Sequence, residues 1–174
     1  MTRTRLKIAA AAAALLISGA MVQPSLSGPV ETERLSTYIG SWAGEGTMVG
    51  GQQPEEFRCR LTISKGTLSK INYSGRCTLV NMNLSVTGTI AFDDEARRYQ
   101  AVMSSNVGFK GLAIGQVSGD KISFNLRETE VDSGGNDVRI AALLVLEGED
   151  ITVDFEVEFN NSGQILTTSV PFER

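Results

Sequence analysis

From residue 41 onward, apolar and polar residues alternate with a period of two, and short Gly-, Asn- or Asp-containing turns interrupt them. Phe57, Cys59, Leu61 and Ile63 share one face, with Arg58, Arg60 and Thr62 on the other. Ile71, Tyr73, Gly75, Cys77 and Leu79 then alternate with Asn72, Ser74 and Arg76, and Leu84, Val86, Gly88, Ile90 and Phe92 with Ser85, Thr87 and Thr89. Such alternation is the signature of half-buried strands. A turn at Asn81-Met82 would set Gly75 against Gly88, where the wall can bend. Near the C-terminus, Gly148-Glu149 suits a two-residue hairpin turn with Gly first. It predicts Leu146 opposite Ile151, Leu144 opposite Val153 and Ala142 opposite Phe155. Ile151, Val153, Phe155, Val157 and Phe159 alternate with Thr152, Asp154, Glu156 and Glu158, and a turn over 161–164 leads into Leu166, Thr168, Val170 and Phe172.

The intervening segments are less regular. Strands are predicted over 99–105, 112–117 and 121–128, although Gly108, Gly111 and Gly115 dilute the first two. Residues 138–146 are apolar on both faces, which reads as a strand covered on its outer side, as a contact between copies, or as a helix. The nearly continuous hairpins predict an all-β fold: a single antiparallel up-and-down barrel of about eight to ten strands, whose closure leaves no edge exposed. Ahead of it, residues 31–39 are expected to form a short helical turn with Leu35 and Ile39 on one face.

The start of the chain has a different character. Arg3, Arg5 and Lys7 precede an apolar run over 8–20 that ends in Ser18-Gly19-Ala20, the small residues of a cleavage site. The run is too short for a span of ~30 Å, which needs ~20 residues. No Cys lies near it, which argues against a lipid anchor, and there is no twin-arginine pair. The expected organisation is a signal peptide over 1–20, an arm and short helix over 21–39 and a barrel over 40–174, with the protein exported to the periplasm or secreted. In an oxidising compartment the two cysteines, Cys59 and Cys77, read as one disulfide. Both point to the same side of one predicted hairpin, at the Cα separation of about 5.5 Å that such a bond prefers.

Composition narrows the function. The chain has 174 residues, enough for one domain with a substantial core. A net charge of −4 and 6% aromatic residues argue against nucleic acid. The absence of histidine removes Ser-His-Asp and Cys-His catalysis and His-ligated zinc or haem. No catalytic residue, metal or cofactor is expected. Asp132 to Asp137 has oxygen ligands spaced like a calcium loop but lacks the EF-hand Gly and Glu positions, and reads as a turn. Arg58, Arg60, Lys65, Lys70 and Arg76 form a basic stripe, read as a solvated face that phosphate head groups or an acidic partner could also meet. The oligomeric state is left open.

Every residue assigned to the inner face is apolar, small or a hydroxyl. The candidate pocket residues are Trp42, Gly44, Met48, Phe57, Tyr73, Ile90, Tyr99, Met103, Phe124 and Phe155. Small inner residues (Gly46, Gly75, Gly88, Ala101, Ala113, Gly115 and Ala142 among them) leave space for a small hydrophobic ligand. The competing reading is a packed core in a flattened barrel, with the glycines serving curvature.

Gly40-Ser41-Trp42 resembles the Gly-x-Trp at the first strand of the calycin superfamily, which includes lipocalins and fatty-acid-binding proteins. The resemblance implies an indole packed across the barrel's closed end. Gly40 to Gly46 is also similar to the opening of nitrobindin-like haem barrels, but their haem-ligating histidine has no counterpart here, so haem is not implied. The signal segment, single disulfide and N-terminal arm resemble secreted bacterial metalloprotease inhibitors, and the outline resembles small exported proteins of Gram-negative bacteria. The expected function is an exported, non-catalytic carrier or sensor of a small hydrophobic molecule. The alternatives are a periplasmic protease inhibitor or other protein-binding module, and a structural envelope protein with a filled core.

Overall fold

The computed structural model describes residues 27–174 apart from 68, 81, 82, 132 and 133. Helix α1 (Ser27–Ser36) leads into ten strands: β1 (Gly40–Met48), β2 (Glu55–Lys65), β3 (Lys70–Thr78), β4 (Asn83–Asp93), β5 (Arg98–Ser105), β6 (Lys110–Ser118), β7 (Lys121–Val131), β8 (Asp137–Glu147), β9 (Asp150–Phe159) and β10 (Gln164–Glu173). Each strand pairs antiparallel with its neighbour in sequence, and β1 meets β10, closing an up-and-down barrel. The proposed signal segment, residues 21–26 of the arm, the Asn81-Met82 turn and part of the calcium-like loop lie outside the described residues.

In the β8–β9 hairpin the register follows the alternation. Leu146, Leu144 and Ala142 stand opposite Ile151, Val153 and Phe155. Gly148 has φ +59°, the left-handed geometry that this turn requires of its first residue. Residues 138–146 lie in β8 and are not helical. The outer Ala141 sits between Arg127 and Glu156, and Leu143 between Asn125 and Asp154, so polar neighbours flank the half-buried apolar outer side.

Two expectations are corrected. Gly75 faces Val86, and Gly88 faces Tyr73. The shift of two residues keeps every side chain on its face. Its cause is steric: a Cβ on Gly88 would lie 2.3 Å from Tyr73 Cζ, so this glycine is where the Tyr73 ring lies against the wall. The helix also starts earlier than expected, making residues 27–30 of the arm helical. It ends in i→i+3 bonds from Thr37, Tyr38 and Ile39, which tighten the last turn and bury Leu35 and Tyr38.

The wall is not evenly bonded. The β6–β7 ladder runs only from Gly115↔Phe124 to Ser118↔Lys121. The β1–β10 ladder holds Ala43↔Glu173 and Gly44↔Phe172, then lapses until a bridge at Val49↔Thr167. Pro171, with no N–H to donate, lies within that lapse. The closed barrel is thus a six-stranded sheet, β1–β6, and a four-stranded sheet, β7–β10, with looser seams on opposite sides.

Candidate functional site

The inner wall differs sharply between its two ends. At the α1 end it is packed solid: Trp42, Ile63, Ile71, Ile90, Tyr99, Ile122, Phe124, Leu146 and Ile151 are all buried. Trp42 lies across this end. Its Nε1 donates to the Tyr38 carbonyl at 2.9 Å, and the Arg174 guanidinium sits 4.6 Å over the ring. Tyr99 donates to the Glu31 carboxylate, tying α1 to the barrel, and its ring meets Phe92 edge-on at 5.0 Å. Burial, reinforced by the bond to Glu31, pushes the Tyr99 phenol well above its ordinary pKa.

The middle of the barrel is shaped by Tyr73 and the glycines. Tyr73 lies across Gly88 and donates to the Val102 carbonyl at 3.0 Å, so its hydroxyl is committed to the wall. Desolvation raises its pKa to about 12. Gly44 is pressed against β10, where a Cβ would come within 2.6 Å of the Pro171 carbonyl oxygen. Cys59 and Cys77 are bonded, with Cα atoms 4.0 Å apart. This is closer than the expected value because Gly66 N bonds to Lys70 O, which makes 59↔77 a non-hydrogen-bonded pair, where strands approach most closely.

Toward the opposite, open end the inner apolar side chains keep part of their surface accessible. Met48, Met103, Phe155, Val157 and Phe159 are half-buried and packed against the core, beside the buried Val138, Ile140 and Phe109. The ten predicted pocket residues therefore separate. Trp42, Ile90, Tyr99 and Phe124 belong to the packed plug, Gly44, Phe57 and Tyr73 to the buried middle, and Met48, Met103 and Phe155 to the accessible cup.

Three contributors were not among the predicted pocket residues. Phe109 follows Gly108 (φ +91°), tips inward and meets Phe155 edge-to-face at 6.5 Å, partly bridging the cup. Thr168 Oγ1, on β10 beside Gly46, is the one buried side-chain polar atom without a partner among the described residues. Glu128 carries the third correction: it has the inward parity of Phe124 and Leu126, is half-buried, and its Oε1 would lie 3.1 Å from a Cβ on Gly111. The inner face is therefore not free of charge. Two cavities lie outside the lumen: a groove of about 500 Å³ over the outer side of β8 and β9, and a cleft of about 650 Å³ between α1 and the β2–β3 turn.

Fold and wall together define a closed ten-stranded β-barrel plugged at one end and lined at the other by apolar side chains with a few carboxylates among them. No family model and no curated protein matches the chain. Among solved structures, Rv2717c from M. tuberculosis is similar with a TM-score of 0.61 at 17% identity, covering 83% of this chain and 96% of that one. The S-type phycobiliprotein lyase of Guillardia theta is similar with a TM-score of 0.52 at 15% identity, covering 86% of this chain and 96% of that one. At these identities the likeness is one of fold, a barrel resembling the lipocalin-like and fatty-acid-binding-protein-like kind.

Proposed function

We propose that this chain is an exported, non-catalytic binding protein of the calycin kind that holds a small hydrophobic molecule in the open half of its barrel. The observation that carries the reading is the group of half-buried apolar side chains on the inner face toward the open end, Met48, Met103, Phe155, Val157 and Phe159. Apolar side chains left accessible inside a concave wall gain free energy when a ligand removes them from water, at about 25 cal/mol per Å². Export is supported by the Cys59–Cys77 bond, which suits an oxidising compartment. A non-catalytic role is supported by a sequence without histidine.

The test is uptake of a neutral fluorescent probe, Nile red, by the intact protein, with native mass spectrometry to detect a co-purified ligand. Val157→Trp, which fills the cup, is expected to abolish uptake while thermal unfolding stays cooperative. Absence of uptake by the unmodified protein, with no co-purified mass, would reject the reading.

A further inference from the structure

We infer that the cup selects cationic over anionic amphiphiles, with the charged head of the ligand held beside the Glu128 carboxylate at the open end. The inference rests on the reading of the open half as a binding cup, and adds the charge type of its ligand.

The argument starts from parity along the strands. On β7, Ile122, Phe124 and Leu126 face inward and are buried, and the same alternation carries Glu128 and Glu130 inward. Both are half-buried, while Arg127, Thr129 and Val131 between and beyond them are exposed. Their partners on β8, Ile140 and Val138, belong to the core. Glu128 leans across the loosened β6–β7 seam toward Gly111, which has no side chain to exclude it. On β2, Glu55 has the same inward parity at the open end and accepts a bond from the Val80 amide.

No basic residue balances these carboxylates from within. Among the described strand residues of inward parity, Lys65 stands at the closed end beside α1, and Arg174, just past β10, lies over Trp42 outside the lumen. Lys110, the nearest rim cation in sequence to Gly111, is on the outward face. Arg139, also outward, is paired with Glu158. A fatty acid seated tail-down would bring its carboxylate against Glu128, with no inward-facing basic strand residue at that end to balance it. A long-chain amine or quaternary ammonium in the same pose would place opposite charges together.

The experiment compares three ligands with the same tail, dodecyltrimethylammonium, dodecanol and dodecanoate, as displacers of Nile red at low ionic strength and below their micelle-forming concentrations. The cation is expected to displace the probe at about tenfold lower concentration than the anion, with the alcohol between them. Glu128→Gln is expected to bring the cation and anion midpoints together. If that variant fails to fold, Glu130→Gln and added salt provide the second readout, each narrowing the same ratio. Dodecanoate binding as well as or better than the cation would overturn the inference and leave the cup intact. A protein that takes up neither Nile red nor dodecanol would overturn the cup itself.

Discussion

At the scale of single residues, the aromatic side chains divide between sealing and lining. Trp42 is the plug that the Gly-x-Trp resemblance implies, but alternation alone could not reveal its carbonyl partner, because the Tyr38–Trp42 bond depends on how α1 meets β1. Tyr73 and Tyr99 also read as lining, yet each hydroxyl is spent on the wall or the helix. Tyr73 yields a pH prediction. Its phenol ionises near 10.0 in an unfolded chain and near 12 in the fold. Below pH 10.0 both states hold the proton and the contribution is fully present. Above it the unfolded chain ionises first and binds fewer protons, so stability falls until the folded value is passed. A separation of that size is worth roughly 3 kcal/mol. Thermal unfolding should therefore drop steeply across that interval, and the drop should be shallower in Tyr73→Phe, which also loses about 1 kcal/mol with its hydrogen bond. Equal alkaline sensitivity in the two proteins would contradict the assignment.

At the scale of elements, strands were legible wherever burial follows side-chain size. β2 is the clear case, with Phe57, Cys59, Leu61 and Ile63 buried and Arg58, Arg60 and Thr62 exposed. β6 reverses the rule: Gly111, Ala113 and Gly115 face inward while Leu112 and Ile114 face solvent. Its hydrophobic pattern therefore points to the wrong face, and Gly111 has its reason in the side chains of Leu126 and Glu128, which no local pattern contains. The same holds for the Gly88 register, set by Tyr73 on the neighbouring strand. The β2–β3 hairpin was legible because two signals agreed, alternation and the cysteine pair. It also places Arg60 directly opposite Arg76, a like-charge pair that works against the hairpin. The disulfide, closing a sequence separation of 18, offsets that repulsion with an entropic stabilisation of ~3 kcal/mol. Reduction, or replacement of both cysteines by serine, should lower the unfolding temperature by an amount matching that stabilisation. Indifference of the melting curve to reductant would show that the bridge does not hold this hairpin.

At the scale of the whole molecule, closure was expected but its unevenness was not, because seams are properties of strands distant in sequence. β1 and β10 close the ring although most of the chain lies between them, and Pro171 interrupts their ladder where Gly44 and Gly46 already crowd β10. On the opposite side, β6 and β7 share a short turn yet bond only near it. The two sheets are therefore joined by ladders toward the plugged end, while toward the cup the β6–β7 seam is open and the β1–β10 seam is held by the Val49↔Thr167 bridge. Amide hydrogen exchange tests this arrangement residue by residue. Backbone amides on a strand point alternately to its two neighbours, so Thr168 and Val170 donate toward β9, inside a continuous ladder, while Ser169 points toward the lapse at β1. On β6, Ala113 points to β5 and Leu112 to the open part of the β7 seam. Ser169 and Leu112 should exchange at least about tenfold faster than these adjacent amides, because opening there breaks no ladder bond. A bound ligand that bridges the two sheets should slow both. Uniform protection along β6 and β10 would mean that the ladders are continuous and that the cup has no loosened seam.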